Sequence, residues 1–295
     1  MNLKFYSTHR ILSGKKTLLP FVFVLALQTI SCNIINPAEP VPAYVHIDSF
    51  SLHTDSITEG SNSSNITDAW VYVDGNVIGT FELPATFPVL SSGSHKLTIR
   101  PGILIDGIAS TRAIYPFYTG FDTTVNFESE KTIDAFPKIM YSSTTNLTHI
   151  EDFDHVGTNI VRGPASDTSI TPVQDQNSFE GYSGAVHLDD AHSYFECAWK
   201  DSFLIPIGHP AYIELNYKSD NEFTVGITSY TSSGIFSDDI VVFRTSETWK
   251  KQYVSLGPVI SNTITATGFK IYIKASKSTA LTTASLYFDN IKVVY

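Results

Sequence analysis

HLDDAHSYFE, residues 187–196, gathers His187, Asp189, Asp190, His192 and Glu196. Imidazoles and carboxylates at that density could hold a metal ion. The same letters also describe a polar hairpin joining GAVHL to SYFECAW, because turns collect Asp and Ser, and that plainer reading is favoured here. The SDD run at 237–239 reads the same way. In SYFECAW, alternation puts Ser193, Phe195, Cys197 and Trp199 on one strand face. No cation adjoins Cys197 to lower its pKa, so the pattern predicts a buried structural thiol and not a nucleophile. In LYFDNIKVVY, Asp289 shares parity with Ile291, Val293 and Tyr295, which points its carboxylate inward. Such a group must be paired, hydrogen-bonded or metal-bound. Other acids, such as Glu214 and Glu222, are scattered, and the chain holds no G-x-S-x-G, H-E-x-x-H, P-loop or dinucleotide glycine motif. A glycosidase carboxylate pair can form only in three dimensions. The sequence therefore points to binding and not to catalysis.

The elements that must position these residues are strands. After residue 43, short β-branched and aromatic runs alternate with Gly, Ser, Asn and Asp clusters, the pattern of antiparallel sandwiches. WVYVDGNVIGTFEL predicts strands at Trp70–Val73 and Val77–Phe81 around Asp74-Gly75-Asn76. AYIELNY and FKIYIKA alternate apolar residues with Tyr212, Glu214 and Asn216, and with Lys270, Tyr272 and Lys274. Each is a half-buried strand with one wet face. The polar stretch 137–148, PKIMYSSTTNLT, is the expected junction between a domain at 44–136 and a second at 149–295. ILIDGIASTRAIYPFYTGF brings Tyr115, Phe117, Tyr118 and Phe121 together, either as a cap on the first sandwich or as a partner-binding loop.

The N-terminus carries an address. Lys4, Arg10, Lys15 and Lys16 precede an apolar core from Leu18 to Leu27, and Ser31-Cys32 follows. This is a secretory signal over residues 1–31, too short in its apolar run to span a bilayer. Ser31-Cys32 resembles the processing site of a bacterial lipoprotein of Bacteroidetes type, although Thr29 stands where leucine is usual. That resemblance implies acylation of Cys32 and a membrane partner through the N-terminal lipid, in the outer membrane of the cell envelope, with the leaflet open. Residues 32–43 then form a tether stiffened by Pro37, Pro40 and Pro42. Without residues 1–31, 15 basic residues face 29 acidic ones, a formal charge of −14. A chain of that charge repels phosphate backbones, which argues against nucleic acid as a partner.

VYVDG, IGT and HKLTIRPG within Val71–Gly102 resemble PEGA-type envelope modules, which implies a spacer or interaction domain. The opening IEDFD, the TWKK strand at 248–251 and the closing YFDNIKV resemble the galactose-binding-like jelly roll of carbohydrate-binding modules. The fold class expected is thus all-β, two β-sandwiches with the second a jelly roll. The jelly-roll resemblance implies glycan binding, with Tyr182, Tyr194, Tyr212 and Tyr230 as the aromatic candidates, each of which also fits an ordinary rim tyrosine. It implies, too, a structural calcium ion held by Glu151 or Asp152 with Asp289. A hydrogen-bonded Asp289 without metal is the equal alternative. The competing function is a structural or adaptor lipoprotein that binds an envelope protein through the first domain.

Overall fold

The computed structural model describes residues 39–295; Cys32 and the segment read as its signal lie outside the described residues. Ala43–Tyr295 form one compact unit. Its first part contains β1 (Ala43–Ile47), β2 (Ser51–Leu52), β3 (Asp68–Val73), β4 (Asn76–Glu82), β5 (Ala85–Val89), β6 (Gly93–Leu104), β7 (Arg112–Ile114), β8 (Phe121–Phe127) and β9 (Thr132–Ala135). One sheet has the order β5-β1-β9; the other has β4-β3-β6-β7, with β8 pairing the first half of β6. The predicted hairpin is present: Asp74 and Gly75 have φ of 49° and 81°, the double positive φ of a two-residue turn whose twist matches its strands. Alternation sends Val45, Ile47, Val71, Val73, Phe87, Leu97 and Ile99 into one small core.

The second part contains β11 (His149–Glu151), β12 (Ile160–Arg162), β13 (Thr171–Val173), β14 (Ser183–Leu188), β15 (Tyr194–Trp199), β16 (Tyr212–Ser219), β17 (Phe223–Thr231), β18 (Gly234–Phe243), β19 (Ser246–Ser255), the short helix α1 (Gly257–Asn262), β20 (Ala266–Ser276) and β21 (Ala284–Val294). One sheet runs β13-β14-β21-β16-β19 with β11 also on β21; the facing sheet runs β12-β15-β20-β17-β18. Strands β14 to β21 are dealt between the sheets in jelly-roll order. The interior is mostly apolar, with Phe195, Cys197, Trp199, Leu215, Phe223, Ile271 and Phe288 among its buried residues and Ser229 of β17 as a buried polar exception. Cys197 is a free thiol pushed up to about 12 by burial, which leaves it inert.

The segment at 137–148 is packed. Its strand β10 (Lys138–Ile139) pairs with β2, and Ile139 and Tyr141 are buried. Tyr115, Phe117 and Tyr118 lie beside them and close on Tyr212 and Tyr253 of the jelly roll. The aromatic run at 115–118 is therefore buried between the two sandwiches. At its centre, buried Glu214 accepts the hydroxyls of Tyr115 (2.7 Å) and Tyr141 (2.8 Å) and pairs with Lys251 Nζ at 3.0 Å. Lys292 Nζ donates to Ser61 O at 2.9 Å. Burial works to raise the Glu214 carboxyl, but Lys251 and Lys292 outweigh it and hold it below the ordinary carboxylate range. Burial pushes Lys292 down to about 8.

Candidate functional site

The jelly roll has two outer sheet faces, and among the described residues one is covered and one is open. On the β16-β19-β21 side, Tyr212, Glu214, Lys251, Tyr253 and Lys292 lie buried under the first sandwich. Farther along that face, the loop before β14 covers it: Phe179 packs on Trp249 at 5.3 Å, and Trp249 Nε1 donates to Asn177 O. Among the described residues, the outer face of β12-β15-β20-β17-β18 carries no such cover.

Register builds this face row by row. One row runs Val161, Ala198, Tyr272, Gly226, Asp239 across all five strands. The next runs Glu196, Lys274, Thr224, Val242, and beyond it Tyr194 stands opposite Ser276. On the other side come Lys270, Thr228, Ser237, then Gly268, Tyr230, Ile235. A bulge in β18 sets Val241 opposite Val225 but Asp239 opposite Gly226, leaving Ile240 extra. Bulges of this kind twist an edge strand and re-aim its side chains.

Tyr272 lies across Gly226, where a Cβ would sit 2.2 Å from the ring. Its hydroxyl donates to Asp239 Oδ1 at 2.5 Å, and Lys274 Nζ reaches the same oxygen at 2.7 Å. Lys274 Nζ is 5.5 Å from the Tyr272 ring centroid. The hydrogen bonds from Lys274 and then Tyr272 hold the Asp239 carboxyl below its ordinary value. Burial, and then the bond to Asp239, push the Tyr272 hydroxyl up, so it stays a donor. Tyr194 Oη donates to Glu196 Oε2 at 2.6 Å and is raised in the same way, by burial first. Thr228 and Ser237 hydroxyls meet at 3.0 Å.

Lys274 divides two open hollows. One, of about 340 Å³, is lined by Glu196, Thr228, Ser237, Asp239 and Tyr272; the other, of about 370 Å³, by Tyr194, Thr224, Val242 and Ser276. Together they offer carboxylate oxygens, hydroxyls, one ammonium and tyrosine rings, a set suited to a polyhydroxylated ligand. Asp239 is held ionised and is no reservoir of a neutral acid for bond cleavage. A wider groove of about 880 Å³ lies where loops 56–60 and 142–148 meet Asp152 and His155. It is lined mostly by Ser, Thr and Asn and holds no Tyr, Trp or Phe.

Two of the four tyrosine candidates, Tyr194 and Tyr230, stand on the open face, both half-buried. Tyr182 is 42% exposed but belongs to the loop before β14, where its N–H donates to Asp154. Tyr212 does face outward from its sheet, as alternation requires, yet the first sandwich covers it: it is 8% exposed, with its ring 5.3 Å from that of Tyr115. Sequence reasoning did not single out Tyr272, Glu196, Asp239 and Lys274 as glycan-binding groups; it reads Glu196 and Asp239 only as metal ligands or turn residues. Alternation in FKIYIKA had placed Tyr272 and Lys274 on the wet face, so their signal was present.

The inward parity expected for Asp289 does not hold. Leu286 and Phe288 face the core, and so do Ile291 and Val293. A bulge at Asn290, φ 48°, flips the alternation between them and turns Asp289 outward, beneath the loop before β14. There Asp289 accepts Ser183 Oγ–H (2.7 Å), the Asn290 N–H (2.7 Å) and the Glu180 N–H (3.4 Å). Burial pushes its carboxyl up to about 7. Glu151 accepts the N–H groups of Phe153 and Asn159, and Asp152 accepts the Asp154 N–H and faces His155. Among the described residues, no three His, Cys, Asp or Glu side chains converge as a metal site. In the HLDDAHSYFE turn, Asp189 accepts the N–H groups of Ala191 and His192, which closes the hairpin.

No protein-family model matches the chain, and no curated protein matches it. Among solved structures it is similar to a xylanase 10B fragment of Clostridium thermocellum, family 22 carbohydrate-binding and catalytic modules complexed with xylohexaose, at 12% identity and TM-score 0.39. That match covers 50% of this chain and 28% of the other. It is also similar to a family 22 xylan-binding domain, at 12% identity and TM-score 0.37 over 50% of this chain and 93% of that one. A third similar structure is a family 11 carbohydrate-binding module from Clostridium thermocellum, complexed with a mixed-linked tetrasaccharide, at 16% identity and TM-score 0.33, over 50% of this chain and 94% of that one.

Proposed function

We propose that this protein captures glycan chains on the open face of its jelly roll and does not turn them over. The observation that supports this reading is the disposition of the two sheets. One outer face is covered by the first sandwich, while the other keeps Tyr194, Tyr230 and Tyr272 among Glu196, Asp239, Lys274 and hydroxyls. Aromatic rings supply apolar contact for sugar faces, and the polar groups around them supply directional hydrogen bonds. The first sandwich serves as a rigid base. The adaptor reading drew on the aromatic run at 115–118, and that run is spent on the chain's own second sandwich.

The proposal includes anchoring of the mature chain through acylated Cys32, which rests on the sequence of the N-terminus. A glycan array probed with residues 33–295 tests the first half: reproducible binding to one glycan class supports it, and a blank array counts against it. Acyl labelling of the full chain and of Cys32→Ser tests the second half independently: label lost in the variant supports anchoring, and label retained removes it.

A further inference from the structure

The first sandwich has its own open sheet face, built on β3 and β6. Trp70 and Tyr72 are successive outward residues of β3, about 7 Å apart along the strand, and both are half-buried. Register sets Arg100 beside Trp70, and Thr98 beside Tyr72, with Asp122 of β8 beyond Thr98. Trp70 lies against Gly102, where a Cβ would meet its Nε1 at 2.8 Å. Arg100 lies across Gly120 in the same manner: a Cβ there would sit 2.9 Å from Cδ, Nε and Cζ. Both side chains are thus laid down on glycines of the neighbouring strand or loop, a placement that lowers the entropy lost when a ligand is bound.

The charges on this face are unevenly matched. Arg112 is held by Asp68 and Glu82, and Lys96 stands 3.5 Å from Asp122. Among the described residues, the exposed Arg100 guanidinium makes no direct ion pair and no hydrogen bond, and the nearby Asp122, already beside Lys96, feels its charge from a distance. The guanidinium opens onto a hollow of about 580 Å³ lined by Tyr72, Lys96, Thr98, Arg100, Pro116 and Asp122. Two cations and one acid there form a basic island on a chain of formal charge −10.

We propose that this hollow is a second binding site, separate from the jelly-roll face, and that it takes a carboxylated sugar of a polyuronate chain. The guanidinium presents a planar fork that matches a carboxylate bidentately. The Tyr72 ring offers the apolar contact that a pyranose face needs, and Thr98 and Lys96 offer hydrogen bonds to hydroxyls. Strands β3 and β6 are both paired on each side, so the middle of the face, where Tyr72, Thr98 and Arg100 stand, presents side chains and no free backbone edge. The outer strands of this sheet are β4 and, beside the first half of β6, β8. Recognition over the hollow's centre comes from side chains, and these are the side chains a uronate would use.

Affinity electrophoresis of residues 33–295 through gels containing polygalacturonate or alginate tests the proposal, with methyl-esterified polygalacturonate as the uncharged control. The expected result is retardation by at least one polyuronate and not by the ester. Arg100→Gln weakens that retardation about tenfold, Arg100→Lys less, and Tyr72→Ala comparably to Arg100→Gln. Tyr194→Ala and Lys274→Ala on the jelly roll leave it unchanged, so the two sites fail or succeed separately. No retardation by either polyuronate overturns the proposal. So does equal retardation by the ester, retardation insensitive to Arg100→Gln in a variant with the parent's melting midpoint, or retardation abolished by the jelly-roll variants.

Discussion

Tyr272 occupies the space that a side chain at Gly226 would fill, and its hydroxyl meets Asp239 on the far strand at 2.5 Å. The tyrosine thereby bridges β20, β17 and β18 across the open face. Gly226→Ala puts a methyl into the ring and against Asp238 O, at 2.2 and 2.6 Å. The expected outcome is a lower melting midpoint, from about 1–3 kcal/mol of overpacking, together with loss of glycan binding. Tyr272→Phe, which keeps the ring, retains the fold and loses only the bond to Asp239. An alanine variant that melts and binds like the parent would show that the ring is not held there.

The buried contact between the sandwiches predicts a stability effect without a binding effect. Tyr115→Phe leaves Glu214 Oε1 without its donor and is expected to cost about 1–3 kcal/mol. Lys251→Met leaves a buried carboxylate short of its counter-charge and costs more, about 3–5 kcal/mol. Denaturant melts of both variants check these values. Glycan affinity is expected to match the parent wherever the variants are folded, because the open face lies on the opposite sheet.

Stability is expected to pass through a minimum between about pH 7 and 8. Asp289 binds its proton more tightly folded than unfolded, since burial raises it to about 7. That contribution is fully present below the ordinary aspartate value and is lost as pH climbs through 7. Lys292 binds its proton less tightly folded, at about 8. Its burial penalty stands below 8 and fades as pH rises toward the ordinary lysine value. Melting midpoints at about pH 5.5, 7.5 and 9.5 check the shape, with each variant compared with the parent at the same pH. Asp289→Asn is expected to flatten the acid side and Lys292→Met the alkaline side. A profile that the two variants leave unchanged contradicts the assignment.

Much of the fold is visible in local alternation. Asp74-Gly75 announces its hairpin, and FKIYIKA shows which residues of β20 are wet. What escapes local pattern is anything set by register across strands. Tyr272 becomes part of a site only because Gly226 and Asp239, on two other strands, fall in its row. Tyr212 has the right parity for a ligand contact, but the second sandwich's neighbour buries it. Asp289 is misplaced by one bulged residue, since a single insertion exchanges the faces of a strand. The stretch at 137–148 is polar by composition, while its few apolar members, Ile139 and Tyr141, carry the packing.

That packing bears on independence. The jelly-roll core is drawn entirely from residues 153–293 and includes none of the first sandwich. Residues 149–295 are therefore expected to melt cooperatively alone, at a lower temperature than residues 33–295, because Tyr212, Tyr253 and Val294 lose their cover. Circular-dichroism melts of both chains decide this; equal midpoints would mean that the shared contact adds nothing.

The most direct measurement of the central claim is calorimetric titration of a glycan bound on the array into residues 33–295 and four variants. The account predicts that Tyr194→Ala and Lys274→Ala each weaken binding at least about tenfold, while Tyr182→Ala and Tyr212→Phe titrate like the parent. Binding that survives both open-face substitutions, or that fails with Tyr182→Ala in a folded variant, would place the ligand elsewhere and contradict the account.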